Sequence, residues 1–305
     1  MRILVVVSGN HSQVAAFVTE QVAALRQAGC EVKLFCVTGR GLLGYLRNLK
    51  PLKIAIKSFS PDILHAHYGL CGLLCTLQRN VPVVVTYHGS DINNPVMLRF
   101  SCLAMRRAAH NIFVSKKLQQ KATKTFSLFT SSVLPCGIDT TTFHPINREE
   151  ACLLMKLDSA LHYILFAGAF DNEVKNSQLA KEACALLPGV VLLELKGYNR
   201  NEVVALMNVA DCLLMTSHSE GSPQVIKEAL ACGCPVVSVD VGDVAEQIEG
   251  TNCGVIVEHT PEAIAKALSL QTERSHRPYC KERIERFDNR RIATLLIEIY
   301  KTVIK

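Results

Sequence analysis

Two glutamates, Glu220 and Glu228, lie on either side of a predicted helix start and are well placed to do chemistry. Glu220 belongs to a polar loop that follows the apolar segment 211–215. Ser222 is expected to cap the helix and Pro223 to take its first position, where a missing N–H costs nothing. Glu228 then lies about one and a half turns into the helix. Backbone N–H groups and the positive end of the helix dipole are therefore expected between two carboxylates.

This arrangement suits a ligand that has a central anion and hydroxyl groups on both sides. A nucleoside diphosphate sugar has that chemistry, with phosphates for the helix start and sugar and ribose hydroxyls for the two carboxylates. The alternative is an amphipathic helix on which both glutamates are solvated, which is the usual environment of any single glutamate.

The elements that must position these residues alternate along the whole chain. Predicted strands cover 3–7, 32–37, 62–67, 81–87, 110–115, 131–135, 163–169, 190–197, 211–215, 235–240 and 254–258. Predicted helices cover 13–28, 71–79, 96–108, 116–123, 176–187, 200–209, 223–232, 243–249 and 261–270. Continuous apolar strands that alternate with helices indicate an α/β fold with doubly wound parallel sheets covered on both faces. The pattern runs twice, and the polar segment 141–151 with Pro145 indicates a linker between two domains.

Charge is distributed unevenly between the two halves of the chain. Residues 1–145 carry 16 Lys and Arg against 5 Asp and Glu, whereas residues 146–305 carry 17 against 22. Basic residues recur every three or four positions over 47–57, so a helix there would present a basic stripe. We expect peripheral contact with an anionic membrane surface or a diphosphate-linked lipid acceptor, and the alternative is a solvated basic face. Nucleic acid is not expected, because the chain has no recognised reader motif and few aromatic residues.

The compartment is predicted from the apolar segments and the cysteines. No apolar run approaches the ~20 residues that a membrane span requires, and the first residues predict a buried strand rather than a signal peptide. The thirteen cysteines are scattered and form no CxxC pair, which is typical of small buried side chains in a reducing cytosol. We therefore expect a cytoplasmic protein that contacts the inner face of the membrane peripherally.

Residues 220–237, EGSPQVIKEALACGCPVV, closely resemble the donor-site signature of the family 4 glycosyltransferases, which are retaining enzymes with the GT-B fold. Four further segments resemble this family: PDILHAHYG at 61–69, VVVTYHGSD at 83–91, FVSKKL at 113–118 and VLPCGIDTTTFHP at 133–145. The resemblance spans most of the chain, and the absence of GxGxxG after the first strand argues against a single dinucleotide-binding domain.

The resemblance implies two Rossmann-like domains that face each other across a cleft. Residues 1–145 would form the acceptor domain and residues 146–286 the donor domain. An amphipathic helix over about 287–305 would cross back to brace the first domain.

The resemblance also implies roles for individual residues. Glu220 would hold the hydroxyls of the donor sugar, Glu228 the nucleotide ribose, and His88 would lie beside the sugar. Lys175 would reach a phosphate, although Ala169 stands where the family usually has a second cation, an arginine. The remaining donor contacts are expected from Gly221, Ser222, Pro223, Gly9, Lys196, Tyr198 and Gly242.

Several of these positions have a simpler structural interpretation. Gly9 is equally an ordinary turn glycine, Lys196 a solvated lysine and Tyr198 a cover for the sheet edge. Asp91 is expected to orient His88 or to cap the segment after it.

No cofactor and no metal are expected. The sequence has no DxD, and we expect the two histidines of the HAH segment, His65 and His67, to point to opposite faces of their strand, which argues against a zinc pair.

The function predicted from the sequence is transfer of a sugar, with retention, from a nucleotide-diphosphate donor to a saccharide or lipid-linked acceptor in surface polysaccharide or glycolipid assembly. Two alternatives remain open at this point: a nucleotide-sugar epimerase of the same fold, and a non-catalytic subunit that binds the donor.

Overall fold

The computed structural model describes residues 1–10, 14–126, 129–274 and 276–304. Contacts divide the chain into two units, one formed by Met1–Gly137 with Asp288–Lys305 and the other by Ile138–Phe287. The sequence places the corresponding boundaries at 145 and 286. Each unit is an α/β structure with its own parallel sheet, which confirms the predicted fold class.

The first unit is built on six parallel strands among the described residues, in the spatial order β2-β1-β3-β4-β5-β6. The strands are β1 (Arg2–Ser8), β2 (Glu31–Val37), β3 (Ile63–His67), β4 (Val83–Tyr87), β5 (His110–Phe113) and β6 (Ser131–Val133). Every residue of β3 and β4 is buried, because helices cover both faces of the sheet. Parallel register pairs His67 with Thr86, so the residues that follow these two strands meet at one edge.

The helices of this unit follow the strands in alternation. They are α1 (Ala16–Gln27), α2 (Gly41–Leu46), α3 (Leu49–Phe59), α4 (Gly69–Cys75), α5 (Ser90–Asn93), α6 (Pro95–Met105) and α7 (Lys116–Thr125). Local sequence explains where α6 begins: the Asn94 side chain accepts hydrogen bonds from the N–H groups of Val96 and Met97, and Pro95 occupies the first position.

The second unit contains five parallel strands among its described residues, in the order β11-β10-β9-β7-β8. They are β7 (His162–Phe166), β8 (Val190–Glu194), β9 (Cys212–Met215), β10 (Val236–Val239) and β11 (Gly254–Val257). The helices are α8 (Arg148–Met155), α9 (Ser177–Ala185), α10 (Arg200–Val209), α11 (Gln224–Ala231), α12 (Val244–Ile248), α13 (Pro261–Thr272) and α14 (Lys281–Glu285). Strands β9 and β10 are wholly buried, so the loops that follow them start from rigid supports.

The linker predicted over 141–151 is wrong in its second half, because α8 already begins at Arg148. The side chain of Asn147 caps this helix by accepting hydrogen bonds from the N–H groups of Glu149 and Glu150, at 2.8 and 3.2 Å. The two acidic side chains in the first turn also stabilise the helix, because they interact favourably with the positive end of its dipole. The polar run that resembles a linker is therefore a helix start.

The last helix, α15 (Asn289–Val303), belongs to the first unit. Ile292, Leu296 and Tyr300, spaced four residues apart, are buried on one face of it. This face packs on α1 and joins a core that includes Ile3 and Val22. The apolar stripe of the terminal segment is thereby removed from water.

None of the helices in the described part of the chain is both long and apolar enough to cross a membrane. Most of the cysteines are buried, as the sequence predicts, and all thirteen are free thiols. Cys36 is an exception, because its side chain is exposed on β2.

Candidate functional site

The start of α11 differs in detail from the sequence prediction. The helix begins at Gln224, with Pro223 at the capping position and no side-chain cap. Ser222 as the cap and Pro223 as the first helical residue are therefore wrong. The hydroxyl of Ser222 instead accepts a hydrogen bond from Gln247 at 3.4 Å, which ties the loop before α11 to α12.

Glu220 forms an ion pair with Lys175, whose Nζ donates to Oε1 at 2.7 Å. Both side chains are largely buried. Lys175 ends a short 3-10 turn, and the hydroxyl of Thr216 donates to the carbonyl oxygens of Lys175 and Asn176 at 3.0 and 2.8 Å. These bonds fasten the loop after β9 to the turn before α9 and bring the two charged groups together.

Two glycines make room for this pair. A Cβ at Gly168 would lie 2.8 Å from Cγ of Lys175, so the lysine stem packs directly on that glycine. Gly242 has φ +55°, and a Cβ there would lie 3.0 Å from Cβ of Glu220 and 3.1 Å from the carbonyl oxygen of Gly221. Only a glycine allows both this left-handed conformation and this close approach without strain.

Glu228 also forms a carboxylate–cation pair. Its Oε1 accepts a hydrogen bond from Nη1 of Arg200 at 2.6 Å, and the glutamate is only 7% exposed. The guanidinium of Arg200 also lies 4.4 Å from the centre of the Phe143 ring, in cation–π geometry. Arg200 precedes Glu228 by 28 residues, and no pattern in the sequence predicts that the two pair.

Two other predicted residues belong to the loop that follows β8. Nζ of Lys196 donates to Asp171 at 2.5 Å, and both side chains are more than half exposed. Tyr198 is 40% exposed and follows Gly197 in the same loop. The structure thus brings together Lys175, Glu220, Gly221 and Gly242, and separately Arg200 and Glu228.

Sequence reasoning missed Lys227, which is fully buried. Its Nζ donates to Oε1 of Gln224 at 2.7 Å and lies 5.3 Å from the centre of the Phe287 ring. Burial raises the pKa of nearby Asp243, and the positive charge of Lys227 partly opposes that rise. A lysine in an amphipathic helix is normally solvated, so no pattern in the sequence indicates this buried position.

In the first unit, His88 follows β4 and lies within a cluster of rings. Its Nε2 is 2.9 Å from Nδ1 of His67, and its Nδ1 is 3.6 Å from Sγ of Cys136. Ring centres of Phe17 and Tyr68 lie 4.8 and 4.6 Å from that of His88. The carboxyl end of a parallel strand is where open α/β sheets bind ligands.

The expectation that His65 and His67 point to opposite faces is wrong. Residues two apart along a strand share a face, and the two ring centres are 4.6 Å apart. The His65 ring is hydrogen-bonded through Nδ1 to the hydroxyl of Tyr300 at 2.6 Å and through Nε2 to the hydroxyl of Thr86 at 2.8 Å. Burial lowers the pKa of His65 to about 3 and that of His67 well below its usual value, so both rings are neutral. No three His, Cys, Asp or Glu side chains of the described residues are grouped as a metal site requires.

Asp91 organises the backbone around His88 rather than its ring. Oδ1 accepts hydrogen bonds from the N–H groups of His88 and Gly89 at 3.1 and 2.9 Å, and Oδ2 accepts one from Gly69 at 3.2 Å. Burial raises the pKa of this carboxyl to about 6 despite these donors.

A cavity of about 470 Å³ opens beside this loop. It is lined by apolar side chains and by polar groups that include Ser8, Tyr45, Tyr68 and Asp91. Tyr68 has φ +71° and ψ 150°, a strained conformation for a residue with a side chain. Strain of this kind is concentrated at functional sites.

Gly9 has a structural explanation in this unit. A Cβ at this position would lie 2.9 Å from Cβ of Cys36, and the Gly9 N–H donates to the carbonyl oxygen of Val37 at 2.7 Å. The glycine therefore allows the chain to leave β1 tightly packed against the end of β2.

Two family models match this chain. The model of glycosyl transferases group 1 matches residues 159–287, and that of glycosyltransferase family 4 matches residues 37–142. Together with the two Rossmann-like units, these matches place the protein in the GT-B class of glycosyltransferases. The chain belongs to the family 4 glycosyltransferases.

Proteins of similar sequence agree with this assignment. The "Putative teichuronic acid biosynthesis glycosyltransferase TuaC" of Bacillus subtilis is 28% identical over 80% of this chain and 72% of its own length. A D-inositol 3-phosphate glycosyltransferase of Mycolicibacterium gilvum is 27% identical, over 68% of this chain and 58% of its own length.

The fold is shared with solved structures of low sequence identity. Sucrose-phosphate synthase from Thermosynechococcus elongatus has a TM-score of 0.86 at 16% identity, covering 99% of both chains. Anabaena Alr3699/HepE in complex with UDP-glucose has a TM-score of 0.80 at 17% identity, covering 99% of this chain and 100% of its own.

Proposed function

We propose that this glycosyltransferase moves a sugar from a nucleoside diphosphate donor to an acceptor hydroxyl with retention of the anomeric configuration. The observation that carries the proposal is the presence of two carboxylate–cation pairs near the start of α11. Glu220 pairs with Lys175 at 2.7 Å, and Glu228 pairs with Arg200 at 2.6 Å. A donor of this class has hydroxyls for both carboxylates and phosphates for both cations.

The carboxylates are proposed to change partners when the donor binds. Glu220 would accept hydrogen bonds from sugar hydroxyls and Glu228 from ribose hydroxyls, while Lys175 and Arg200 would turn toward the diphosphate. Negative charge builds on that leaving group as the glycosidic bond breaks, and preorganised cations stabilise it. Arg200 would then supply the second positive charge that Ala169 does not.

The reaction is proposed to proceed without a covalent enzyme intermediate and without a metal. The acceptor hydroxyl would attack from the side on which the diphosphate departs, and the departing phosphate would accept its proton. We expect EDTA to leave the rate unchanged. A rate that falls with EDTA and is restored by a divalent cation would contradict this part of the proposal.

A uridine diphosphate sugar is the first donor to test. The Anabaena neighbour was solved with UDP-glucose, which supports the choice of nucleotide but leaves the sugar open. We propose further donor contacts from the residues for which the family resemblance implies them. In the second unit these are Gly221, Ser222, Pro223, Gly242, Lys196 and Tyr198, and in the first unit they are His88 and Gly9.

The acceptor is proposed to bind in the cavity beside Asp91 and Tyr68 in the first unit. Its lining is mainly apolar with several hydroxyl groups, which suits a saccharide attached to a lipid. The name of the Bacillus relative, which refers to teichuronic acid biosynthesis, supports a surface polymer or glycolipid as the product class.

Peripheral contact with an anionic membrane is proposed for the surface formed by α2, α3 and the 77–80 turn. Leu43 and Ile54 are 75% and 61% exposed there. A second cavity, of about 430 Å³, is lined by Lys53, Lys57 and Arg79 and by no acidic residue. Exposed apolar side chains beside basic ones are the composition of an interfacial surface.

The decisive experiment is incubation of the full chain with a panel of nucleoside diphosphate sugars, read by NMR of the anomeric protons. Slow release of the sugar with retained configuration is the expected result. Formation of an epimer would identify an isomerase, and binding without turnover would identify a non-catalytic binding subunit. Either of these outcomes would overturn the proposed transferase.

A further inference from the structure

Two histidines of β3, His65 and His67, form a column that leads to His88, and the proposed function assigns no role to either of them. His65 and His67 are both completely buried on one face of β3. His67 is the member that contacts His88, through Nδ1 and Nε2 at 2.9 Å with the rings stacked at 22°. In this hydrogen bond, either Nδ1 of His67 or Nε2 of His88 carries the proton.

The proton on His67 can be assigned from its surroundings. Burial, together with the neighbouring His65 and His88, lowers the pKa of His67 well below its usual value. The ring is therefore neutral and carries a single N–H. Its Nε2 is buried and has no hydrogen-bond partner among the described residues.

Orphaned buried N–H groups are rarer in proteins than under-satisfied buried acceptors. The single proton is therefore placed on Nδ1, where it donates to Nε2 of His88. If Nε2 of His88 is an acceptor, then neutral His88 must carry its own proton on Nδ1. That nitrogen faces Sγ of Cys136 at 3.6 Å. A thiol sulfur is a weak acceptor, so a substrate oxygen can replace it.

We propose that His67 is a positioning residue that fixes His88 as the Nδ1–H tautomer, so that His88 offers substrate a hydrogen-bond donor rather than an acceptor. The second half of this statement rests on the proposed function, because it requires substrate beside His88. The first half concerns the protein alone.

The tautomer is measured directly by labelling the ten histidines with ¹⁵N and recording long-range ¹H–¹⁵N correlations of the full chain. His88→Gln identifies the His88 signals by their loss. We expect a protonated Nδ1 and an unprotonated Nε2 on His88. The opposite pattern, with the proton on Nε2, would overturn the proposal.

Two substitutions test whether His67 imposes this state. His67→Leu should shift His88 toward the Nε2–H form that free imidazole side chains favour. It should also lower kcat about tenfold to a hundredfold with little change in the KM for the donor, because the ring is no longer held in place.

His65→Leu is the matched control, since His65 lies on the same face of the same strand and is equally buried. It should leave the His88 tautomer unchanged. Equal shifts in both variants would show that His67 has no specific role.

If His67→Leu does not fold, His67→Asn retains an amide donor near the position of Nδ1, and the spectrum of the unsubstituted protein still decides the tautomer. The spectra require no substrate. The tautomer result would therefore remain valid if the protein transferred no sugar. Conversely, finding the proton on Nε2 of His88 would not contradict the proposed transferase activity.

Discussion

At the scale of single residues, substitutions of Glu220 and of Glu228 should have different effects. Glu228→Gln should weaken UDP binding by roughly 1.5–3 kcal/mol, because a charged acceptor for ribose hydroxyls is lost. Glu220→Gln should leave UDP affinity nearly unchanged and depress turnover of UDP-sugar. Titration calorimetry with UDP and steady-state kinetics separate the two effects. The exposed Glu262→Gln is the control, and unchanged UDP affinity in the Glu228 variant would refute the ribose assignment.

Asp91 gives the first unit a pH dependence that follows from its burial. Its pKa is about 6 in the folded chain against 3.8 in the reference state. The folded protein thus retains a proton that the unfolded chain releases, so the contribution of Asp91 to stability is largest below about pH 4 and falls as pH rises toward 6. The difference is on the order of 2–3 kcal/mol.

Asp91→Asn should abolish this slope, measured by urea unfolding followed with a reporter in the first unit at several pH values. The asparagine also loses an acceptor for Gly69, so the variant should be less stable overall. A variant with the same slope as the unsubstituted protein would assign the pH dependence to another group.

At the scale of elements, two glycines on either side of α12 allow a paired test of the loop that carries Glu220. Gly242 and Gly250 have φ +55° and +68°, so alanine should cost a similar ~1 kcal/mol of strain at each. Only Gly242 contacts Glu220, whereas a Cβ at Gly250 meets nothing within 4 Å. Gly242→Ala should therefore reduce turnover as well as stability, and Gly250→Ala should reduce stability alone. Equal activities, measured at a temperature where both variants are folded, would show that the contact does not matter for turnover.

The same scale shows how far the sequence predicts this fold. The eleven strands of the described residues were predictable, because most of them are continuous apolar runs with sharp ends. Helices α2, α5, α8 and α14 were not predicted, whereas the equally short α12 was, since a helix of four to eight residues shows too little of a helical period to be recognised consistently. Residues near Asn147 were misinterpreted because a polar capping segment has the composition of a linker.

The site was predictable only where a motif carries it. Glu220 and Glu228 follow from one contiguous segment, whereas the partner of Glu228 lies 28 residues away and depends on how α10 packs beside α11. The buried position of Lys227 is likewise a tertiary property. The position of His65 and His67 on one face of β3 could have been predicted from the sequence, since residues two apart along a strand share a face.

At the scale of the whole molecule, the division into units increases the charge contrast. The first unit carries 20 Lys and Arg against 6 Asp and Glu, and the second carries 13 against 21. A difference of this size should be visible as binding of the first unit to anionic surfaces at low ionic strength.

Lys53→Glu with Lys57→Glu should weaken pelleting with vesicles that contain anionic phospholipid by at least about tenfold, since each basic group near such a surface contributes about 1 kcal/mol. Lys266→Glu with Lys281→Glu makes the same change in net charge in the second unit and should have little effect. Raising the salt concentration should abolish the difference. Equal pelleting with neutral and anionic vesicles would leave these lysines as a solvated surface.

The return of the chain to the first unit at Asp288 has a consequence for the order in which the protein is made. The second unit is contiguous, so a ribosome completes all of its strands before it reaches α15. The first unit begins earlier but must wait for the last residues, because Ile292, Leu296 and Tyr300 complete its core. The half of the chain that is synthesised first should therefore mature last. A chain truncated before residue 289 and released from the ribosome should contain a protease-resistant second unit and a protease-sensitive first unit, whereas both units should be protected when α15 is present.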